Sequence, residues 1–137
     1  MPDNQVISTP RTADLVTFTI KSEGESIPAT VSVQTISVWH ELNRVSKARL
    51  VILDGSPSAQ KFEISETDLF IPGRKIEISA GYHSDEAEIF TGMVVKHSIK
   101  IREDGRSHLI IDCHHKASTL TKNRRSRYFY DKTEAEV

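Results

Sequence analysis

With 137 residues, the chain is long enough for one domain with a substantial core, and its 18 basic and 19 acidic side chains give a formal net charge of −1. Such a balance provides no long-range attraction toward nucleic acid or an anionic membrane. The single cysteine, Cys113, excludes an internal disulfide bond. No apolar run is long enough to span a bilayer and the first residues lack the pattern of a signal peptide, so we expect a cytoplasmic protein without a membrane anchor.

The first residues, 1–14, are polar, contain two prolines and show no period, and we interpret them as a flexible N-terminal arm. Alternation then begins, because Val16, Phe18 and Ile20 share one face, which indicates a half-buried strand. In the following apolar run the phase changes near residues 34–35. One extra residue in a strand has this effect, so we predict a β-bulge there and a strand that bends.

Residues 48–53 form a continuous apolar stretch, which predicts a strand buried on both faces. A dense cluster of turn residues that includes Gly55 ends this strand. The connection from 56 to 73 leans polar, has room for a short turn of helix and ends in a second turn at Gly73.

Residues 76–80 alternate between apolar and polar side chains, and the chain reverses direction over residues 82–85. A returning strand then runs to residue 101. On it, we expect one face to carry Met93, Val95, Ile99 and Ile101.

The turn between the last two predicted strands fixes their register. A two-residue turn ending at Gly105 would send apolar side chains to the polar face. A three-residue loop with Gly105 in the left-handed conformation instead places Ile99 opposite Leu109 and Lys96 opposite Asp112. We predict the three-residue loop, because it satisfies both faces.

These elements predict a mainly β fold: an antiparallel β-barrel of about six or seven strands with one or two short helices, over residues 15–122. Closure into a barrel buries a common face and removes exposed edges, while a two-sheet sandwich is the competing architecture. Residues 123–137 form a separate basic and aromatic segment.

The sequence contains no glycine-rich phosphate loop, no G-x-S-x-G, no H-E-x-x-H and no C-x-x-C motif. Cys113 and His114 would point to opposite faces of a strand, and His97 with Cys113 would supply at most two metal ligands. Acidic pairs beside Asp85 fall on a turn, where their charge is solvated. We therefore expect no catalytic residue, no cofactor and no metal, and a protein that is not an enzyme.

Two features suggest contact surfaces. Trp39 lies on the strand face opposite to that of Val38 and His40. It is either an exposed aromatic anchor at an interface or a core tryptophan in a strand buried on both sides. The second feature is a basic and aromatic run whose interface candidates are Arg124, Arg125, Arg127, Tyr128 and Tyr130. Charge combined with stacking is compatible with single-stranded nucleic acid, but the balanced net charge makes a solvated or subunit-contacting segment the favoured interpretation.

The order and spacing of several runs resemble the N-terminal region of VgrG proteins, also called Rhs-element Vgr proteins, over residues 12–134. These are the spike-tip proteins of type VI secretion and related contractile injection systems, and they are similar to hub proteins of contractile phage tails. The runs that carry the resemblance are residues 36–44, 48–55, 62–65, 70–73, 76–82 and 89–92.

The resemblance implies a barrel with the phage tail-tube and hub fold, a structural module that joins the tube to the puncturing tip. Its implied partners are further copies in a homotrimer, a hexameric tube protein and baseplate components, with export through the apparatus itself. The resemblance also implies a fragment, because the family's second barrel and needle domains are absent from the sequence and the end of the segment 123–137 looks like the truncated start of the family's next element. A small β-barrel that binds oligonucleotide or glycan is the alternative, suggested by the run from Arg124 to Tyr130.

Overall fold

The structure is a computed structural model that describes residues 15–55 and 61–124 together with residues 126, 128, 130 and 133. Within these residues lie seven β-strands and two 3-10 helices, which span Asp68–Phe70 and Lys116–Thr121. The strands are β1 (Val16–Ser22), β2 (Glu25–Ser26), β3 (Ser32–Trp39), β4 (Lys47–Leu53), β5 (Lys75–Tyr82), β6 (Asp85–Ile101) and β7 (Ser107–His114). The predicted arm, residues 1–14, lies outside the described residues.

The strands form one antiparallel sheet in the order β2-β1-β5-β6-β7-β4-β3, which confirms the prediction of a mainly β fold with six or seven strands. The sheet is not closed into a barrel, because its end strands β2 and β3 are not hydrogen-bonded to each other in the described part of the chain. β2 has only two residues, and they pair with Lys21 and Ser22 at the far end of β1. β1 and β3 nevertheless line a common cavity of about 330 Å³, so the two ends of the sheet lie near each other.

The core lies on the inner face of the sheet. Leu50 and Ile52 of β4 are fully buried, whereas Arg49 is exposed and Val51 is half-buried. The prediction that residues 48–53 are buried on both faces is therefore wrong, because the outer face of β4 is open to solvent. Five strands, β1, β4, β5, β6 and β7, contribute fully buried side chains to the core, as a sheet with one buried face requires. The side chains of β3 that pack on the core are only half-buried, and both residues of β2 are exposed. The fully packed core consists of Ile20, Ala48, Leu50, Ile52, Phe70, Ile76, Ile78, Phe90, Val94, Leu109, Ile111 and Cys113.

Two details of register predicted from the sequence are confirmed. The pairing of β3 with β4 shifts between Val33 and Thr35, where the β-bulge was expected. In the β6–β7 hairpin, Ile99 lies opposite Leu109. Lys96 lies opposite Asp112 in the same ladder, and the loop glycine has a φ of +74°.

A bulge between Val94 and Lys96, in the β6–β7 ladder, corrects the expected face of β6. Val94 is in the core with 2% of its surface exposed, while Val95 is 42% exposed. Met93 consequently pairs with His114 on the outer face, and Ile99 belongs to the inner face. Adjacent valines leave the alternation ambiguous at this point, which is why the sequence pattern assigns Met93 and Ile99 to one side.

The loop after β4 is held by a buried carboxylate. Asp54 is 1% exposed, and its two carboxylate oxygens accept hydrogen bonds from the backbone N–H groups of Ile64 at 2.9 Å and Ser65 at 2.8 Å. The Ser107 hydroxyl donates to the Asp54 carbonyl. Gly55 follows with a φ of +70°, a conformation that side chains disfavour. These bonds fix the connection against the start of β7.

Among the residues that the structure describes, no helix combines the length and the apolar character needed to cross a membrane.

Candidate functional site

A groove of about 550 Å³ lies on the outer face of the sheet, across the ends of β3, β4, β6 and β7. We call it the Trp39 groove. It is lined by Trp39, Glu41, Lys47, Ala48, Arg49, Val95, Lys96, Asp112, Cys113 and His114. Its volume falls within the range of about 300–1,000 Å³ that is usual for small-molecule sites.

The strand register arranges the groove side chains in two parallel rows. Directly opposed residues of an antiparallel sheet point to the same side. In the first row Trp39 lies opposite Lys47, which in turn lies opposite His114. In the second row, two residues further along, Asp112 lies between its two neighbours, Arg49 and Lys96. One aromatic ring thus stands beside a row of alternating charge.

Trp39 is 45% exposed, so the structure places it on the surface and not in the core. Its position is set by the next residue, because the His40 ring is held at both nitrogens. Nε2 lies 2.8 Å from the Ile89 carbonyl and Nδ1 lies 2.9 Å from the Ser46 hydroxyl. A carbonyl can only accept, so Nε2 donates to the Ile89 carbonyl, and Nδ1 forms the hydrogen bond with the Ser46 hydroxyl. This bridge ties the β3–β4 connection to β6 and fixes the strand end that carries the indole.

Arg49 and Asp112 form the fixed polar element of the groove. The Arg49 Nε donates to Asp112 Oδ1 at 2.6 Å. This hydrogen bond, together with the attraction between the two charges, raises the pKa of Arg49 above its ordinary value. The pair presents a planar guanidinium and a carboxylate in one defined geometry, which suits recognition of hydroxyl groups.

The remaining charges of the groove are distributed unevenly. Glu41 is paired with Arg44 at 3.2 Å, so both carboxylates of the groove already have an arginine partner. The side chains of Lys47 and Lys96 make no ion pair with any residue that the structure describes. Two ammonium groups that have no ion-pair partner among the described residues therefore face the groove.

The floor of the groove is shaped by the bulge in β6 and by β7. The bulge exposes Val95 beside Lys96. Opposite it, the Cys113 side chain belongs to the core and is fully buried. Burial raises the pKa of the Cys113 thiol to about 12, with the neighbouring Asp112 charge adding to the effect. A protonated, buried thiol is a poor nucleophile.

The structure separates the residues that the sequence analysis singled out. Trp39 lines the groove, whereas Arg124, Tyr128 and Tyr130 do not. Tyr128 is 87% exposed and Tyr130 is 82% exposed. Arg125 and Arg127 lie outside the described residues. The turn glycines have positive φ angles, which are +70° at Gly55, +99° at Gly73 and +74° at Gly105.

Sequence reasoning did not identify the polar residues of the groove. The predicted register of β6 and β7 already placed Lys96 opposite Asp112, and this was the available signal. The pairing of β4 with β7 joins residues that are far apart in the chain, such as Arg49 and Asp112, which are 63 positions apart. Local sequence patterns do not predict such a pairing. Among the described residues, no three His, Cys, Asp or Glu side chains form a cluster that could hold a metal ion.

Comparison with known proteins gives one family. A family model described as the Alg8 N-terminal domain matches residues 12–137, nearly the whole chain. The chain therefore belongs to the Alg8 N-terminal domain family. A search of curated proteins found no match.

The family match corrects the interpretation drawn from the resemblance. The model that accounts for residues 12–137 is that of the Alg8 N-terminal domain and not that of the VgrG family. The expected identity as a spike-tip protein, and the expected hub function in type VI secretion and contractile injection, are therefore wrong. Since the model describes an N-terminal domain, the expectation that the protein is not an enzyme also lacks support.

Proposed function

We propose that this Alg8 N-terminal domain is a carbohydrate-binding module that holds its ligand in the Trp39 groove. The observation that carries the proposal is the half-exposed indole, 45% exposed, next to the fixed Arg49–Asp112 pair in one concavity. A sugar ring has an apolar face of C–H groups and a rim of hydroxyls. The indole offers a flat apolar surface to the first, and the charged pair offers donors and acceptors to the second.

The groove also supports binding over catalysis as the role of this domain. Its cysteine thiol is buried with a pKa raised to about 12, and its two carboxylates are paired with arginines. Neither arrangement favours a nucleophile or a general base. In this proposal, any catalytic activity of a longer protein resides in its other domains, and this domain supplies contact with the glycan.

An oligonucleotide is the competing ligand for a small β module with exposed aromatic rings. The net charge of −1 offers no general attraction to phosphates, and the exposed tyrosines Tyr128 and Tyr130 lie apart from the groove. The geometry therefore favours the glycan. A gel shift with single-stranded DNA at low salt compares the two, and we expect no retardation.

The chain offers a direct test, because Trp39 is its single tryptophan. Titration with a panel of neutral and acidic oligosaccharides should shift or quench its emission in a saturable way with at least one ligand. Calorimetry then compares variants that lack the fluorophore: Trp39→Ala should abolish binding and Trp39→Phe should retain part of it. Tyr128→Ala, which removes an exposed ring outside the groove, is the matched control and should bind like the parent protein. Binding that survives Trp39→Ala, or a flat emission signal with every oligosaccharide, contradicts the proposal.

A further inference from the structure

The strand β3 forms one edge of the sheet. It pairs with β4 alone, and the backbone hydrogen bonds that lie outside the strand ladders of the described residues involve none of residues 32–39. No residue of β3 is buried. The backbone N–H and C=O groups that point outward from this edge therefore have no partner within the described part of the chain.

β3 also lacks the features that usually protect a sheet edge. Its eight residues include no charged side chain and no proline, although lysine and proline are common safeguards against pairing between edges. The opposite edge differs, because it ends in the two-residue β2 and exposes Lys21, Glu23 and Glu25. Of the two edges, β3 is the one suited to accept another strand.

The open part of the β3 edge is the segment of residues 35–39. Val33, on the other side of the bulge, lines the cavity that β3 shares with β1, whereas residues 35–39 do not line it. Within the segment, Ile36 and Val38 are half-buried against the core on the inner face. The other three residues point to the outer face, because side chains alternate along a strand.

This segment is complementary to itself when two copies run antiparallel. If Ser37 lies opposite Ser37 of a second copy, Ile36 meets Val38 on the inner face. On the outer face, Thr35 of each copy then meets Trp39 of the other. A register shift of one residue would pair inner with outer side chains. A shift of two residues would run into the bulge or past the end of the strand.

We propose that residues 35–39 of β3 pair with the same residues of a second copy of this chain, so that two domains form a symmetric dimer with one continuous sheet. The occupant of the edge is a second copy because the segment is complementary to itself, and because it carries no charge that would repel its own image. The pairing is a property of the sheet edge and does not depend on the ligand of the Trp39 groove.

The dimer has a defined geometry. Two antiparallel edge strands in one sheet are related by a two-fold axis perpendicular to that sheet, so their outer faces stay on the same side. The two Trp39 grooves then open on one common surface, on either side of the axis. A pairing of five residues is small, and interfaces below about 1,200 Å² are typically weak, so we expect the dimer to dissociate on dilution.

Sedimentation equilibrium of the full chain over a wide range of concentrations tests the association. We expect a reversible equilibrium between monomer and dimer. Amide hydrogen exchange in residues 35–39 should slow as the dimer fraction rises, because outward N–H groups become paired. A chain that is monomeric at every concentration overturns the proposal. Association that leaves the exchange of these amides unchanged also overturns it.

Charge reversal at the two-fold axis tests the register. Ser37→Lys and Ser37→Glu each place like charges opposite one another, so each variant alone should associate about fivefold more weakly than the parent. An equimolar mixture should form a heterodimer about tenfold tighter than either homodimer, because lysine then faces glutamate. The mixture contains the same two chains, so it also controls for effects of the charge within one copy.

Ser26→Lys, which places the same charge on the exposed β2 at the opposite edge, is the matched control and should associate like the parent. Weaker association of Ser26→Lys would assign the contact to the other edge and overturn the proposal. A mixture of the two Ser37 variants that associates no better than its components would overturn it as well.

Discussion

Arg49 and Asp112 lie directly opposite each other on β4 and β7, and the Arg49 Nε donates to the Asp112 carboxylate at 2.6 Å. The bond joins two strands that are far apart in the chain and adjacent in the sheet. It also places a fixed guanidinium–carboxylate unit next to the only tryptophan of the sequence. The sheet thus builds the groove from residues that no sequence motif connects.

The Arg49–Asp112 pair should contribute modestly to stability, because the Arg49 side chain is 51% exposed. A double-mutant cycle with Arg49→Ala and Asp112→Ala should give a coupling of about 0.5–1 kcal/mol at low salt in chemical denaturation. The coupling should shrink in 1 M salt, where the screening length is about 3 Å. The same cycle on Arg44 and Glu41, whose side chains are 73% and 52% exposed, is the control and should give less. A coupling that salt leaves unchanged would argue against an electrostatic contribution.

The loss of stability caused by truncating a side chain of β4 should depend on which face of the strand carries that side chain. Leu50→Ala should lower the free energy of unfolding by about 2–5 kcal/mol, because the fully buried side chain leaves a cavity. Val51→Ala, one residue away on the outer face, should cost less than about 1.5 kcal/mol. Equal losses in urea denaturation would contradict the one-sided burial of this strand.

Gly55 and Gly105 both have positive φ, but their surroundings differ. A Cβ at Gly55 would collide with the Lys61 carbonyl, whereas a Cβ at Gly105 would meet no atom within 4 Å. Gly105→Ala should therefore cost only the left-handed backbone penalty of about 1–2 kcal/mol. Gly55→Ala should cost more, because the loop that Asp54 anchors must also move. Thermal unfolding of the two variants tests the order, and a larger loss at Gly105 would refute it.

The buried thiol of Cys113 predicts a pH dependence of stability. Its pKa is raised from an ordinary 9.0 to about 12 in the folded protein. Between these values the unfolded state releases the proton and the folded state keeps it, so stability falls as pH rises from 9.0 toward about 12. The slope is at most about 1.4 kcal/mol per pH unit for one proton. Well below pH 9.0 the thiol is protonated in both states and contributes no slope.

Urea denaturation of the parent and of Cys113→Ala, measured at several alkaline pH values, isolates this contribution. Groups other than the thiol titrate in both proteins, so their effects cancel in the difference. The free energy of unfolding of Cys113→Ala should be lower than that of the parent by a constant amount below the alkaline range, because the buried sulfur is missing. Its further decrease at alkaline pH should be smaller than that of the parent, because the variant has no thiol to titrate. Parallel curves for the two proteins across the alkaline range would show that the thiol does not titrate in this way.

His40 should position Trp39 without contacting a ligand. His40→Ala removes the bridge to the Ile89 carbonyl and to Ser46, so the end of β3 should loosen. We expect lower fluorescence anisotropy of Trp39 and a loss of stability of about 1–2 kcal/mol. Ser46→Ala, which breaks only one of the two bonds, should have a smaller effect on both. Unchanged anisotropy in His40→Ala would exclude the positioning role.

Local features of this fold could be predicted from the sequence, whereas features that depend on pairing between strands far apart in the chain could not. The apolar phase change placed the bulge between Val33 and Thr35, and Gly105 fixed the register that sets Lys96 opposite Asp112. The bulge between Val94 and Lys96 was not predicted, because adjacent valines at 94 and 95 make the alternation ambiguous. The open sheet edge and the groove depend on β4 meeting β7 and on β1 meeting β5, which alternation along one strand does not encode.

The most direct test of the account is to map an oligosaccharide onto the domain by two-dimensional amide NMR. Binding in the Trp39 groove predicts that the indole N–H of Trp39 and the backbone amides of Lys47, Arg49, Lys96 and Asp112 shift together and saturate at one dissociation constant. The amide signals of Tyr128 and Tyr130 should not shift. Shifts confined to the segment from Arg124 to Tyr130, or the absence of any shift in the groove, would contradict the account.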